Sequence, residues 1–134
     1  MCGIAGIFLK NPALEPRLGA MLSDMMEVLS DRGPDSAGFA IYGGGQPGFI
    51  KVTLRGPAGP ALTTAVEALL AVFAGASAVY HDTHAVLSLA EGDLEALKSA
   101  VAAQGELQLV GIGERMELYK EVGLPRQVAD RFGL

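Results

Sequence analysis

The spacing of apolar residues changes period along the chain, and each change marks an element. Residues 3–9 (Gly-Ile-Ala-Gly-Ile-Phe-Leu) are a short apolar run that reads as a buried strand, closed by a turn at Asn11-Pro12. From Leu14, the residues Leu18, Met21, Leu22, Met25, Met26 and Leu29 recur at helical spacing. That spacing predicts an amphipathic helix over 14–30, broken by Asp31-Arg32-Gly33-Pro34-Asp35. Residues 36–42 and 48–54 read as two strands, and the Gly-rich loop Gly43–Gly48 between them predicts a hairpin. After the break Gly56-Pro57-Ala58-Gly59-Pro60, residues 61–74 read as a helix, and 77–90 as a strand, or two with a break at His81-Asp82. Asp93–Gln104 is a helix with an acidic first turn, and 106–112 is a strand stopped by Gly111 and Gly113. Residues 114–121 and 125–131 read as short helices on either side of Gly123-Leu124-Pro125. Strands alternating with helices imply an α+β or α/β plan.

Composition narrows the function classes. At 134 residues, half of them apolar, the chain can bury the core of one domain. A net charge of −5 argues against a nucleic-acid surface, which needs a basic face. The absence of Trp, with three Tyr and five Phe, leaves little for an aromatic stacking platform. Charges such as Lys10, Glu67 and Asp82 interrupt every apolar run before it reaches membrane-spanning length, and no secretory signal is visible, so a cytoplasmic protein with no membrane partner is expected. One cysteine excludes an internal disulfide.

That cysteine follows the initiator Met, and methionine is removed efficiently only before a small side chain. A free Cys2 carries two useful groups. Its thiol is a strong nucleophile once ionised, and its α-amine, with a reference pKa of about 7.7–8.0, can accept the proton near neutral pH. A cysteine by itself is more often a small buried hydrophobe. The neighbouring sequence changes the balance: Cys2-Gly3-Ile4-Ala5-Gly6-Ile7-Phe8 opens the chain, and Asp31-Arg32-Gly33-Pro34-Asp35-Ser36-Ala37-Gly38 follows one helix later. Gly3 and Gly6 permit close backbone approach, Gly33 suits a tight turn, and the planar fork of Arg32 can hold a carboxylate or fix a loop. The plainer reading of Arg32 and Asp35 is a surface ion pair at a helix end.

Together the two motifs resemble those of the class II glutamine amidotransferases, which are N-terminal-nucleophile hydrolases. Family members begin Cys-Gly-Ile-x-Gly and carry Arg-Gly-x-Asp-x-x-Gly at about this distance. The finer resemblance is to the amidotransferase subunit of glutamate-synthase-like systems, including N-methylglutamate synthase. It rests on Met21–Tyr42 and on Met116–Gly123 with Pro125. The resemblance implies the N-terminal portion of a four-layer αββα sandwich, with 60–112 as a family-specific insertion read as helix–strand–helix–strand. It implies glutamine hydrolysis to glutamate through a Cys2 thioester, with Arg32, Gly33 and Asp35 binding substrate or organising the site. Ammonia then passes to a synthase partner, and no cofactor is expected in this chain.

The sequence departs from the family pattern in three places. Members of the class use a later Arg in an Arg-x-Ala-Thr-like strand for the glutamine carboxylate, an Asn-Gly pair as oxyanion hole and a further Asp for the substrate amine. None is present, and Asn11, the single asparagine, precedes Pro12. An oxyanion-hole donor is worth about 10²–10³ in turnover. The resemblance therefore covers this chain nearly end to end, but only the first part of a complete domain. A chain or segment that completes the domain is implied. The alternative is a non-catalytic structural or regulatory module that keeps the front of the fold.

Other signals are weaker. His81-Asp82-Thr83-His84 lacks further metal ligands and reads as a polar loop or strand edge. Gly111-Ile112-Gly113 has Met116 where a dinucleotide fingerprint needs its third glycine. Gly43–Gly48 lacks the Lys-Ser/Thr of a phosphate loop, and Met21, Met25 and Met26 read as core packing.

Overall fold

Two strands of strict alternation organise most of the chain. In β2 (Phe49–Arg55), Ile50, Val52 and Leu54 point to one side of the sheet while Lys51, Thr53 and Arg55 point to the other. In β4 (His84–Ala90), Ala85, Leu87 and Leu89 share one side, and His84, Val86 and Ser88 the other. The computed structural model describes residues 3–32 and 35–134, so Cys2 and Gly33 lie outside the described residues. The chain divides into two compact units: residues up to Phe39 together with Lys120–Leu134, and Ala40–Tyr119.

The elements, in chain order, are α1 (Leu18–Glu27), β1 (Ser36–Tyr42), β2, α2 (Pro60–Leu70), β3 (Ser77–His81), β4, α3 (Leu94–Gln104), β5 (Gln108–Gly113), β6 (Met116–Val122) and α4 (Pro125–Phe132). Short 3₁₀ turns precede α1, β1 and α3. The protein is α+β. In the second unit four strands form a sheet of order β3-β4-β2-β5, with every neighbouring pair antiparallel. From β2 to β5 the chain runs strand–helix–strand–strand–helix–strand, the split β-α-β arrangement.

The apolar side of that sheet carries the core. Val52, Leu54, Ala85, Leu87 and Leu89 pack with Leu62, Val66 and Leu69 of α2, Leu97 and Val101 of α3, and Leu107. Burying each large aliphatic side chain of this set contributes roughly 1.5–3 kcal/mol. The helices are bounded by backbone chemistry. Pro60 sits in the first turn of α2, and α3 stops at Gly105, whose φ of 69° is left-handed.

In the first unit α1 packs with α4. Arg126 of α4 donates to both Glu27 and Asp24 of α1 (Nε–Oε2 3.0 Å, Nη2–Oε2 2.8 Å, Nη2–Oδ1 2.5 Å). Those two carboxylates, through their hydrogen bonds and charge, raise the guanidinium pKa further. Strands β1 and β6 pair with each other. One end of the ladder is closed by Gly123 N–H donating to the Asp35 carbonyl (3.1 Å), within the first unit. The other end is closed by Gly43 N–H donating to the Arg115 carbonyl (2.9 Å), within the second.

Five expectations are corrected here. Residues 3–9 join no ladder, although half-buried and exposed positions alternate along them as in a strand. The helix expected over 14–30 is α-helical over Leu18–Glu27, after a 3₁₀ stretch, Pro12–Arg17, that contains Pro16. Strands β1 and β2 exist but make no hairpin, because β4 and β5 occupy both edges of β2 and β6 takes β1. Residues 77–90 are two strands, the second of the two readings the sequence allowed, so it is the helix–strand–helix–strand order of 60–112 that is corrected, to helix–strand–strand–helix–strand. Asp82, at a φ of 49°, makes the tight reversal. Residues 114–121, read as a helix from their Glu, Met, Leu and Lys content, fall largely in β6, where ladder pairing overrides local propensity.

Candidate functional site

The residues singled out by the two motifs fall in the first unit. Leu29 N–H donates to the Met26 carbonyl (3.0 Å) and Arg32 N–H to the Leu29 carbonyl (2.9 Å), so α1 tightens into the 3₁₀ turn Ser30–Arg32. Arg32 ends that turn with its side chain exposed. Asp35 is also exposed, and its carbonyl accepts the Gly123 N–H described above. Among the described residues neither Arg32 nor Asp35 has an ion-pair partner, so the plainer surface-pair reading does not hold there.

Gly3, in the opening motif, packs on Leu29, just ahead of the second motif. A methyl group added at Gly3 would lie 3.1 Å from both Cβ and Cδ1 of Leu29, closer than side chains normally pack. The residue next to Cys2 is therefore seated on the turn that leads into Arg32, and only a glycine permits that approach without displacement. The stretches Met21–Tyr42 and Met116–Gly123 are likewise joined, because β1 and β6 are ladder partners. Cys2 and Gly33 themselves lie outside the described residues.

Sequence reasoning missed a second polar grouping, on the side of the four-stranded sheet opposite the aliphatic core. Lys51 Nζ donates to Glu117 Oε1 (2.5 Å), Tyr119 Oη donates to Glu117 Oε2 (2.9 Å), and Leu118 N–H donates to Thr53 Oγ1 (3.2 Å). The first residues of β6 are thereby held to β2. His81 meets Tyr119 edge-on, with ring centroids 5.3 Å apart, and the fully buried His84 is tilted against it at 5.9 Å. Thr83 Oγ1 and His84 Nδ1 are 3.1 Å apart. Burial pushes the Glu117 carboxyl up, but the hydrogen bonds from Lys51 and Tyr119 and the charges of Lys51 and His81 outweigh it, leaving the pKa below the ordinary carboxylate value. Burial first, then the adjacent Glu117, pushes the Tyr119 hydroxyl well above the ordinary phenol range.

Both oxygens of Glu117 are thus engaged by Lys51 and Tyr119, so the grouping fastens the first residues of β6 to the sheet. Its signal was present as the alternating Lys51, Thr53, Arg55 and the two-residue spacing of Glu117 and Tyr119. Reading 114–121 as a helix placed those two side chains on different faces. The four-residue stretch His81–His84 is a strand end, a turn and a strand start. Among the described residues no three His, Cys, Asp or Glu side chains converge as metal ligands, and no helix is long and apolar enough to cross a membrane.

Comparison with known proteins identifies relatives. No family model matches the chain, and no solved structure matches it. The chain is 46% identical over 136 aligned residues to the glutamine amidotransferase-like protein GlxB of Rhizobium meliloti, an alignment that takes in 98% of the chain and 44% of that relative. It is 57% identical over 44 residues, 33% of the chain and 14% of the relative, to a putative glutamine amidotransferase of Methanothermobacter thermautotrophicus. The chain spans less than half the length of the first of these relatives, and the similarity supports an amidotransferase family for it.

Proposed function

We propose that the chain is the N-terminal part of a class II glutamine amidotransferase domain, of the four-layer αββα kind, and that it supplies the nucleophile for glutamine hydrolysis. The observation that carries this reading is the seating of Gly3 on Leu29, which brings the opening motif to the turn that presents Arg32. The 46% identity to an amidotransferase-like protein across nearly the whole chain supports it independently.

In this mechanism Met1 is removed and the α-amine of Cys2 takes the thiol proton. Sγ attacks the side-chain amide carbon of glutamine, forming a C–S bond and a tetrahedral oxyanion. The oxyanion collapses, the C–N bond breaks, and the ammonium of Cys2 returns its proton to the leaving nitrogen, which departs as ammonia. Water, deprotonated by the same amine, hydrolyses the thioester to glutamate and restores the thiol. Arg32, with its planar fork, holds a substrate carboxylate or the loop beside it, and Gly33 and Asp35 shape that loop. The resemblance of Met21–Tyr42 and Met116–Gly123 to N-methylglutamate synthase systems supports a synthase subunit or domain as the acceptor of the ammonia.

The chain has no Asn-Gly pair, so activity belongs to an assembled protein in which another segment supplies the oxyanion hole. N-terminal mass determination together with a glutamine-dependent ammonia assay on the assembled protein tests the proposal. Full activity with Met1 retained would sink this mechanism, and no ammonia release from glutamine by the assembled protein would leave the non-catalytic module as the better account.

A further inference from the structure

The four-stranded sheet of the second unit ends in two unlike edges. At one edge β5 carries a bulge, because Thr53 faces Gly111 and Leu54 faces Leu109, with Val110 left between them. Glu106 and Glu114 flank that strand. Bulges and nearby charges keep an edge from recruiting another strand. At the other edge β3 has neither device. Its five residues, Ser77–His81, hold an unbroken register with β4 and include no Asp, Glu, Lys, Arg or Pro. The uncharged stretch runs from Ala68 to His81. Ser77 is exposed, Val79 is 60% exposed and Tyr80 37%.

The bonds of β4 settle which groups β3 turns outward. Gly56 N–H donates to the Thr83 carbonyl (2.9 Å), and Glu91 N–H donates to the Gly48 carbonyl (3.1 Å). Both bonds continue the β2–β4 register, in which Arg55 faces His84 and Phe49 faces Ala90. Along an antiparallel strand, successive residues bond to the two neighbours alternately. The odd-numbered residues of β4 therefore bond to β2, and His84, Val86 and Ser88 bond to β3, opposite His81, Val79 and Ser77. Ala78 and Tyr80 lie between these and direct their N–H and C=O groups to the open edge. Among the described residues no strand pairs with that edge.

We propose that β3 pairs antiparallel with β3 of a second copy of this chain, about a two-fold axis between the two Val79 residues. The two four-stranded sheets then become one of eight strands. The proposal goes beyond the amidotransferase reading and does not rest on it. In this register Ala78 faces Tyr80 of the second copy, and each such pair exchanges both N–H···O=C bonds, so every outward-facing group of the two edges is satisfied. The Tyr80 ring lies beside the small Ala78 side chain. Val79 meets Val79 of the second copy in a pair without hydrogen bonds, where side chains approach most closely. Asp82, just past the strand, faces the neutral Ala76, so no like charges are opposed although each chain carries −5. A second copy is the occupant because this edge complements itself and the pairing closes. Pairing of β3 with β5 would be head-to-tail and open-ended, and β5 is the blunted edge. The contact is one short strand, so the dimer is weak and depends on concentration.

The test is sedimentation equilibrium of the 134-residue chain over a wide concentration range, with amide hydrogen exchange measured by NMR at both ends of it. The expected result is a monomer–dimer equilibrium in which the amides of Ala78 and Tyr80 exchange at least about tenfold more slowly at the concentrated end. The amides of Ser77 and Val79, already bonded to β4, should change less. Val79→Lys sets two ammonium groups against each other on the axis and should weaken dimerisation by about tenfold or more. Val79→Thr, neutral and β-branched, should stay within about threefold of the wild type. Leu109→Lys, at the opposite edge, should leave dimerisation unchanged. Unaltered exchange in β4 of the Val79→Lys chain shows that the variant has folded. A monomer throughout the range, a dimer that leaves Ala78 and Tyr80 unprotected, or a dimer indifferent to Val79→Lys would each overturn the proposal.

Discussion

Lys51 and Glu117 form a half-buried ion pair, Nζ to Oε1 at 2.5 Å, which ties the first residues of β6 to the polar side of β2. The two residues are far apart in sequence, and the second oxygen of the same carboxylate accepts the Tyr119 hydroxyl. Both side chains are mostly shielded from water, so the pair is screened less than an exposed one.

Glu117→Gln keeps the shape of the side chain but leaves the Lys51 ammonium half-buried without its counter-charge. The expected loss is about 1–3 kcal/mol of unfolding free energy, measured by urea denaturation. Lys51→Met with Glu117→Gln should recover part of that loss, because no buried charge is then stranded. A single variant as stable as the wild type would show that the pair contributes nothing to holding β6.

The same carboxylate sets an acid limit. Its pKa is depressed in the folded state, so the stability it contributes is present above the unfolded value of about 4.3 and is lost as pH falls through the folded value. Tyr119 behaves oppositely. Its raised pKa means that its contribution is present below about 10 and is lost as pH rises beyond that. Stability measured against pH should therefore fall at both ends, and Glu117→Gln should flatten the acid arm. An unchanged acid arm in that variant would assign the dependence to other groups.

Leu87 lies on β4 at the centre of the aliphatic core and is fully buried. Leu87→Ala should cost about 2–5 kcal/mol through lost burial and the cavity left between sheet and helices. Thermal unfolding followed by far-UV circular dichroism is the measurement, and a change below about 1 kcal/mol would contradict the described core.

Cys2→Ser or Cys2→Ala in the assembled protein should abolish glutamine-dependent synthesis and leave synthesis from free ammonium nearly intact. In the proposed mechanism the thiolate only cleaves the amide, and the hydroxyl of Ser is a poorer nucleophile at neutral pH. Arg32→Lys should give a graded loss of glutamine use, because a point charge replaces a planar fork. Paired assays fed glutamine or ammonium decide the matter. Loss of both activities in a folded Cys2→Ser protein would remove Cys2 from the role of dedicated nucleophile.

By itself the sequence determined the local features. The α+β class, strands β1 and β2, and helices α2, α3 and α4 were legible from periodicity, glycine and proline, since these are short-range properties of the chain. Tertiary structure decided the pairings. Nothing local in 36–54 reveals that β2 lies between β4 and β5, or that the partner of β1 is the remote segment 116–122. Residues 114–121 carry good helix formers, yet a ladder with β1, the Lys51–Glu117 pair and the packing of Tyr119 with His81 and His84 favour a strand. Helical bonds close within a few residues and leave a periodic trace. Ladder bonds and cross-sheet ion pairs join residues distant in the chain, and their energy depends on burial that exists only once the sheet has formed.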